Sequence, residues 1–196
     1  MIPVFYSTSE GQTARIARRI ASALSRGGFR AEAVSIESAE TVDWAQVPIF
    51  VLGASVHMGA HDKAAVAFTQ ERLRGLDGRP SVFFSVSLTA MGKDAESRTQ
   101  AETCKEDFLV SARWRPELSC CVAGRLAYTQ YPWWKRLLMR SIARSKGAPT
   151  DTSRDHEFTD WAEVDALAAD IGELVRTHPR SAPEAGIQRD AESLVG

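Results

Sequence analysis

Apolar runs too short to be helices alternate along this chain with longer stretches of helical period. Residues 2–6, 31–36, 48–55 ("PIFVLGAS") and 81–88 ("SVFFSVSL") read as strands, and 120–128 ("CCVAGRLAY") as a fifth. Helical segments fall at about 12–25, 63–73, 95–112 and 160–177, and in the first of them Ile16, Ile20 and Leu24 recur every four residues. This alternation predicts a parallel sheet covered by helices on both faces. The third and fourth strands are almost wholly apolar, as strands buried on both faces must be. Gly27 and Gly28 give the first helix a left-handed stop, and Asp160 with Glu163 has capping-box spacing at the start of the last. No internal repeat interrupts the pattern. After the last helix the chain turns rich in Pro, Ala, Ser and charge with no apolar stripe, so one domain over 1–177 and a disordered tail over 178–196 are expected.

The place to look for chemistry in such a fold is beyond the carboxyl ends of the strands, where the strand order reverses. The first strand runs straight into "YSTSEGQT". Ser7, Thr8, Ser9 and Thr13 offer hydroxyls, Gly11 lets the backbone approach closely, and the helix from Gln12 presents the positive end of its dipole. Neither GxxxxGK[ST] nor GxGxxG is present, which removes the two commonest nucleotide fingerprints. The loop holds no basic residue and even carries Glu10, so an anion here is met by neutral donors, as suits the phosphate monoester of FMN. The same composition is that of an ordinary turn whose hydroxyls cap a helix, and the loop alone leaves both readings open. Two further loops, "ASVHMGAHD" after the third strand and "SVSLTAMGKD" after the fourth, leave buried strands through small polar residues and a glycine. Both should open beside the first, where a flavin ring would need apolar and backbone walls.

In this order "YSTSEGQT", "VLGAS" and "FFSVSL" resemble a flavodoxin-type FMN domain over about residues 1–122. That resemblance implies a three-layer α/β sandwich on a five-stranded parallel sheet in the order 2-1-3-4-5. Further on, "SARWRPE", "VAGRLAY" and "GAPTDTSRDHEFTDWAEV" are similar to the bacterial quinone-linked protoporphyrinogen IX dehydrogenase family, long-chain flavodoxin relatives of heme biosynthesis, with the likeness spanning about 1–175. The resemblance implies FMN-dependent oxidation of protoporphyrinogen IX, with electrons passed to membrane quinone. It assigns the phosphate loop to Thr8, Ser9, Glu10, Gly11, Gln12 and Thr13. The ring loops would be Ala54, Ser55, Val56, His57, Met58 and Gly59, and Ser87, Leu88 and Thr89, with Gly124, Arg125 and Leu126 as a third wall. No acid or base maps securely, so no catalytic residue is assigned.

An insertion over about 128–156, "YTQYPWWKRLLMRSIARSKG" within it, departs from a plain electron carrier. From Arg125 to Lys146 it carries Lys135, Arg136, Arg140 and Arg144 and no acidic residue, in a 196-residue protein of net charge -1. As a helix it sets Trp134, Leu137, Leu138, Ser141 and Ile142 on one side and Arg136, Arg140 and Arg144 on another. Trp134, Lys135, Arg136, Arg140 and Arg144, with Arg125, are therefore candidates for contact with an anionic membrane surface or porphyrin propionates. A helix packed on its own domain with a solvated basic face has the same pattern. His57 is a weaker candidate for flavin contact or proton transfer, and His61 weaker still.

The remaining composition narrows the classes. A balanced charge argues against a nucleic-acid binder and gives no acidic face for a carrier docking on basic reductases. The first strand begins at the amino end without an export signal, and no run of about eighteen apolar residues could span a bilayer, so a cytoplasmic, peripherally membrane-associated protein is expected. Three cysteines, two adjacent, lack zinc or redox spacing, and no metal is expected. An FMN enzyme acting on protoporphyrinogen IX at a membrane leads. A flavodoxin-like electron-transfer protein serving a partner enzyme is the alternative.

Overall fold

A computed structural model describes residues 1–76, 78–145 and 149–178. The tail expected over 178–196 lies outside the described residues from position 179 onward, as does Lys146. The elements in order are β1 (Ile2–Ser7), α1 (Gln12–Arg26), β2 (Ala31–Ser35), β3 (Phe50–His57), β4 (Ala60–His61), α2 (Lys63–Leu73), β5 (Ser81–Ser87), α3 (Ala95–Ala112), β6 (Leu118–Ala123), β7 (Arg125–Leu126), α4 (Trp133–Ser145), β8 (His156–Glu157) and α5 (Trp161–Thr177). The main sheet runs β2-β1-β3-β5-β6, all parallel, which is the 2-1-3-4-5 order expected. β4 pairs antiparallel with the end of β3.

The two faces of the sheet bury chemically different cores. Under α1 and α5 the packing is largely aliphatic, with Val4, Ile16, Ile20, Leu24, Val51, Val164 and Ile171 all almost fully buried. Under α2 and α3 it is aromatic: Phe5 stacks on Trp44 at 4.9 Å, Phe83 on Phe108 at 4.4 Å, and Phe50 joins them through Phe68 and Trp114. Trp44 arrives from a 3-10 turn between β2 and β3 that the periodicity does not reveal. Polar fixings hold the lower edge of the sheet. Trp114 Nε1 donates to Ser81 Oγ, and the Glu117 carboxylate accepts from both the backbone N–H and the hydroxyl of Ser81, tying β5 to the start of β6.

Several strand boundaries shift by one or two residues from those read in the sequence, and two of the differences shape the loops. The third strand continues to His57, because Met58 and Gly59, at φ 52° and 82°, form a two-residue hairpin into β4 rather than an open loop. The fifth strand stops at Ala123 instead of running to Tyr128. The Gly124 N–H donates to the Ser87 carbonyl, its own carbonyl accepts from Phe158, and β7 leaves the sheet to pair with β8. Insertion and last helix thus return through a separate antiparallel ribbon.

Gly53 stands in β3 where Phe84 of β5 crosses it: a Cβ there would lie 2.1 Å from the Phe84 ring. Phe84 is fully buried and has nowhere to swing. Gly53→Ala is therefore expected to cost about 2 kcal/mol through overpacking and to lower Tm by roughly 5 °C in a thermal scan. An unchanged Tm would show that the ring steps aside freely.

Candidate functional site

The phosphate-loop residues lie where β1, hydrogen-bonded between β2 and β3, feeds into α1. Gly11 sits before the first turn of α1 at φ 81°, a left-handed conformation that a side chain would strain, and no side chain caps the helix. Thr8 Oγ1 accepts from the Gly11 N–H and holds the loop closed. Ser9 N–H donates to Ser55 Oγ, bringing the first loop against the second. Thr13 is fully buried, yet its hydroxyl has no partner among the described residues. A buried hydroxyl left unpaired beside an uncapped helix start lacks an acceptor, and a phosphate oxygen would supply it.

Around this loop the structure gathers most of the expected wall residues. Ala54 is buried, Ser55 and Val56 are half-buried, and His57, Met58 and Gly59 reach into solvent at the hairpin. Met58 is 94% exposed, an apolar side chain held out at the tip. Below it His61 folds back under β3. Its Nδ1–H donates to the Ser55 carbonyl, which fixes the neutral tautomer, so Nε2 accepts from the Ser85 hydroxyl. The ring packs edge-on against Phe83 and Phe108. His61 therefore braces the hairpin from beneath rather than facing the crevice. On the fourth-strand side the Ser87 hydroxyl pairs with that of Thr89 at 3.0 Å and accepts from the Ala90 N–H, while Leu88 is half-buried against the insertion's own core of Leu126, Ala127, Tyr128 and Tyr131. Gly124, bonded to Ser87, closes the third side.

The insertion is strapped to the phosphate loop by polar contacts that its sequence does not announce. Tyr131 donates its hydroxyl to Glu10 Oε2 at 2.6 Å. Burial and then that bond push the phenol's pKa well up. Arg125, 15% exposed, donates to the Glu10 carbonyl and pairs with Asp155 at 3.4 Å. Burial raises the Asp155 carboxyl, but two bonds from Thr129, together with Arg125, outweigh it and leave the group below its usual range. The buried Gln12 amide donates to Glu157 and to Thr159 Oγ1, and Arg15 also pairs with Glu157. Arg125, a candidate for substrate contact in the sequence, is thus placed beneath the loop.

α4 sits differently from the face its spacing suggested. Arg136 points inward, donating to the carbonyls of Tyr128 and Tyr131, and Ala143 is buried beside it. Arg136 is therefore not grouped with Arg140 and Arg144. The outward stripe is Trp133, Leu137, Arg140 and Arg144 at i, i+4, i+7 and i+11, with Trp134 beside it. Trp133, Trp134 and Leu137 are 74%, 57% and 53% exposed. The Lys135 side chain lies outside what is described. Trp133, Tyr131, Asp155, Glu157 and Thr159 were missed in the sequence. Only the adjacent tryptophans carried a local signal, since Tyr131, Glu157 and Thr159 act across more than a hundred residues of chain and Asp155 reaches back to Thr129 and Arg125. Among the described residues no helix is long and apolar enough to cross a membrane.

A family model described as flavodoxin domain matches residues 3–153. A protein of Escherichia coli strain K12 named protoporphyrinogen IX dehydrogenase (quinone) is 33% identical over 172 residues, covering 87% of this chain and 94% of its own. A protein of the same name from Leishmania major is 32% identical over 87% of this chain and 74% of its own. Among solved structures, a flavodoxin from the domain Archaea aligns over 89% of this chain and 98% of its own at TM-score 0.51 and 16% identity. Flavodoxin 2 of Bacillus cereus aligns over 90% and 97% at TM-score 0.50 and 17% identity. These two likenesses bear on the fold.

Burial drives the His61 pKa down to about 4, against a smaller upward pull from the bond to Ser55. Between about pH 6.5 and that value the unfolded chain binds the extra proton and the folded one does not. The stability held in neutral His61 is thus complete above about pH 6.5 and lost as the pH falls toward 4, on the order of 3 kcal/mol in all. Denaturant midpoints at pH 7 and pH 4.5 should fall further for the wild type than for His61→Gln. Equal falls would place the acid-sensitive group elsewhere.

Proposed function

The chain belongs to the flavodoxin-domain family, and from that premise we propose that it is an FMN-dependent oxidoreductase that converts protoporphyrinogen IX to protoporphyrin IX and passes the electrons to a membrane quinone. The observation that carries the cofactor reading is the buried, partnerless Thr13 hydroxyl at the uncapped start of α1. Thr8, Ser9, Gly11, Gln12 and Thr13 would hold the phosphate through backbone N–H groups and hydroxyls. Ala54 to Gly59 in the β3–β4 hairpin, Ser87, Leu88, Thr89 and Gly124 would wall the ring. FMN, when bound, accepts two electrons at a time, which matches removal of hydrogen from a tetrapyrrole in successive two-electron steps.

The protein's own part is to bind, orient and exclude. The hairpin tip at Met58 and the half-buried Leu88 offer apolar contact to a flat substrate, and Ser55 and Thr89 offer hydroxyls at its edge. His61, kept neutral and already bonded on both ring nitrogens, holds β4 against Ser85 instead of exchanging protons with substrate. Substrate and quinone are both apolar, so a site open to a bilayer surface would draw them from the lipid. The α4 stripe suits such a surface, with Trp133 and Leu137 entering the interface while Arg140 and Arg144 meet lipid phosphates or porphyrin propionates. The proposed working place is the inner face of the cell membrane, with peripheral attachment to anionic lipid. No part of this reading calls on nucleic acid.

The decisive experiment mixes FMN-loaded protein with protoporphyrinogen IX under anaerobic conditions, follows flavin bleaching and porphyrin fluorescence, and then adds a menaquinone analogue. Bleaching with porphyrin formation, then recovery of flavin absorbance on adding quinone, is expected. A flavin that stays oxidised with porphyrinogen, yet is reduced by a flavoprotein reductase, would instead establish an electron carrier. Sedimentation with anionic vesicles tests the surface. Arg140→Ser and Arg144→Ser should each weaken binding about fivefold, and Trp133→Ser with Trp134→Ser should weaken it on neutral and anionic vesicles alike. Wild-type protein that stays in solution would remove the membrane from the reading.

A further inference from the structure

Glu10 poses a problem that the function leaves unsolved. An acid inside a loop that must receive a phosphate dianion should oppose binding, because like charges a few ångströms apart repel strongly where water is scarce. The other residues of the loop, Thr8, Ser9, Gly11, Gln12 and Thr13, carry no opposite charge. A donor comes from the insertion, 121 residues downstream, where Tyr131 donates its hydroxyl to Glu10 Oε2 at 2.6 Å. A bond of that length from a neutral donor to a carboxylate is short and charge-assisted.

The tyrosine is held so that the carboxylate must come to it. Tyr131 is buried, its ring stands edge-on to Tyr128 at 6.1 Å, and its carbonyl accepts from Arg136 in the first turn of α4. Arg125 fixes the other end of the same residue by donating to the Glu10 carbonyl, while its own charge is met by Asp155. Backbone and side chain of Glu10 are thus both gripped from the insertion side, while the helix start and the Thr13 hydroxyl are left for the ligand.

We propose that Tyr131 is a positioning residue that keeps the Glu10 carboxylate turned out of the phosphate cradle, so that the insertion sets how tightly the loop takes the phosphate monoester of FMN. The proposal rests on the FMN reading above and deepens it. It makes the insertion a determinant of FMN over riboflavin, the same flavin without the phosphate, in addition to any part the insertion plays toward substrate or membrane. Losing the Tyr131 hydroxyl removes a short bond that holds the carboxylate away from the phosphate. That penalty falls on FMN alone, and it vanishes once residue 10 carries no charge.

The test titrates the full-length apoprotein with FMN and with riboflavin, by flavin fluorescence quenching, for wild type, Tyr131→Phe, Glu10→Gln and the double variant, with thermal midpoints alongside. Tyr131→Phe is expected to weaken FMN binding about tenfold and riboflavin binding by less than about twofold. Glu10→Gln should hold or improve FMN affinity, and the double variant should match Glu10→Gln, a full coupling between the two sites. Equal losses for both flavins would mark a merely structural tyrosine and overturn the proposal. So would a double variant as weak as Tyr131→Phe, an FMN affinity indifferent to Tyr131, or a Glu10→Gln variant that itself loses FMN tenfold. Should Tyr131→Phe fail to fold, the Glu10→Gln result still decides the sign of the carboxylate's effect. A wild type that binds riboflavin and FMN equally overturns this proposal while leaving a flavin enzyme standing, whereas one that binds neither overturns the cofactor reading as well.

Discussion

β1 is hydrogen-bonded to β2 on one side and to β3 on the other, and the site depends on that placement. Because the chain leaves β1 in one direction and later returns to its opposite edge, the loops after β1 and β3 diverge to opposite faces of the sheet and open a crevice between them. The Ser9 to Ser55 bond then sets the crevice's width at its base. The same geometry puts the start of α1 at the crevice floor without a side-chain cap, so the unpaired Thr13 hydroxyl is a consequence of topology more than of local sequence preference. Everything proposed for the flavin depends on two strands being neighbours across β1.

How much of this is legible in the sequence depends on the range over which each signal acts. The run from Ser81 to Ser87 and the stripe of Ile16, Ile20 and Leu24 are local patterns, and strand, helix and strand order follow from them with boundaries within a few residues. The Met58–Gly59 hairpin is less visible because Met seldom adopts positive φ, and the turn is held by His61 bonding back to Ser55 and Ser85. The loops around the crevice could be read as loops. Their fixings could not, since Gln12 with Thr159, Arg125 with Glu10 and Tyr131 with Glu10 join residues far apart in the chain, and no spacing rule reaches that distance.

α4 shows a different limit. Its period fixes which residues share a side, but the side turned to the protein is chosen by what the protein offers there. Arg136 donates to the Tyr131 carbonyl and adds a second bond to the Tyr128 carbonyl, which already accepts from the Tyr131 N–H. Once Arg136 faces inward, rotation of the helix is set, and Trp133 and Leu137 must face out. An amphipathic count weighs apolar against charged positions and has no means of scoring a charged side chain's bonds to backbone carbonyls.

The fixings just beyond the insertion also bear on how freely the chain can change. Gln12 is nearly fully buried, and its amide nitrogen is shared between Glu157 at the end of β8 and Thr159 just after it. Thr159 in turn donates to the Ala123 carbonyl at the end of β6. Removing the side chains at 157 and 159 would leave the Gln12 amide buried without these partners, at a cost of about 1–3 kcal/mol. The start of α1 therefore depends on the segment that leads into α5, and a change at 157 or 159 calls for a change at position 12. Two ends of the chain thus constrain one another's variation.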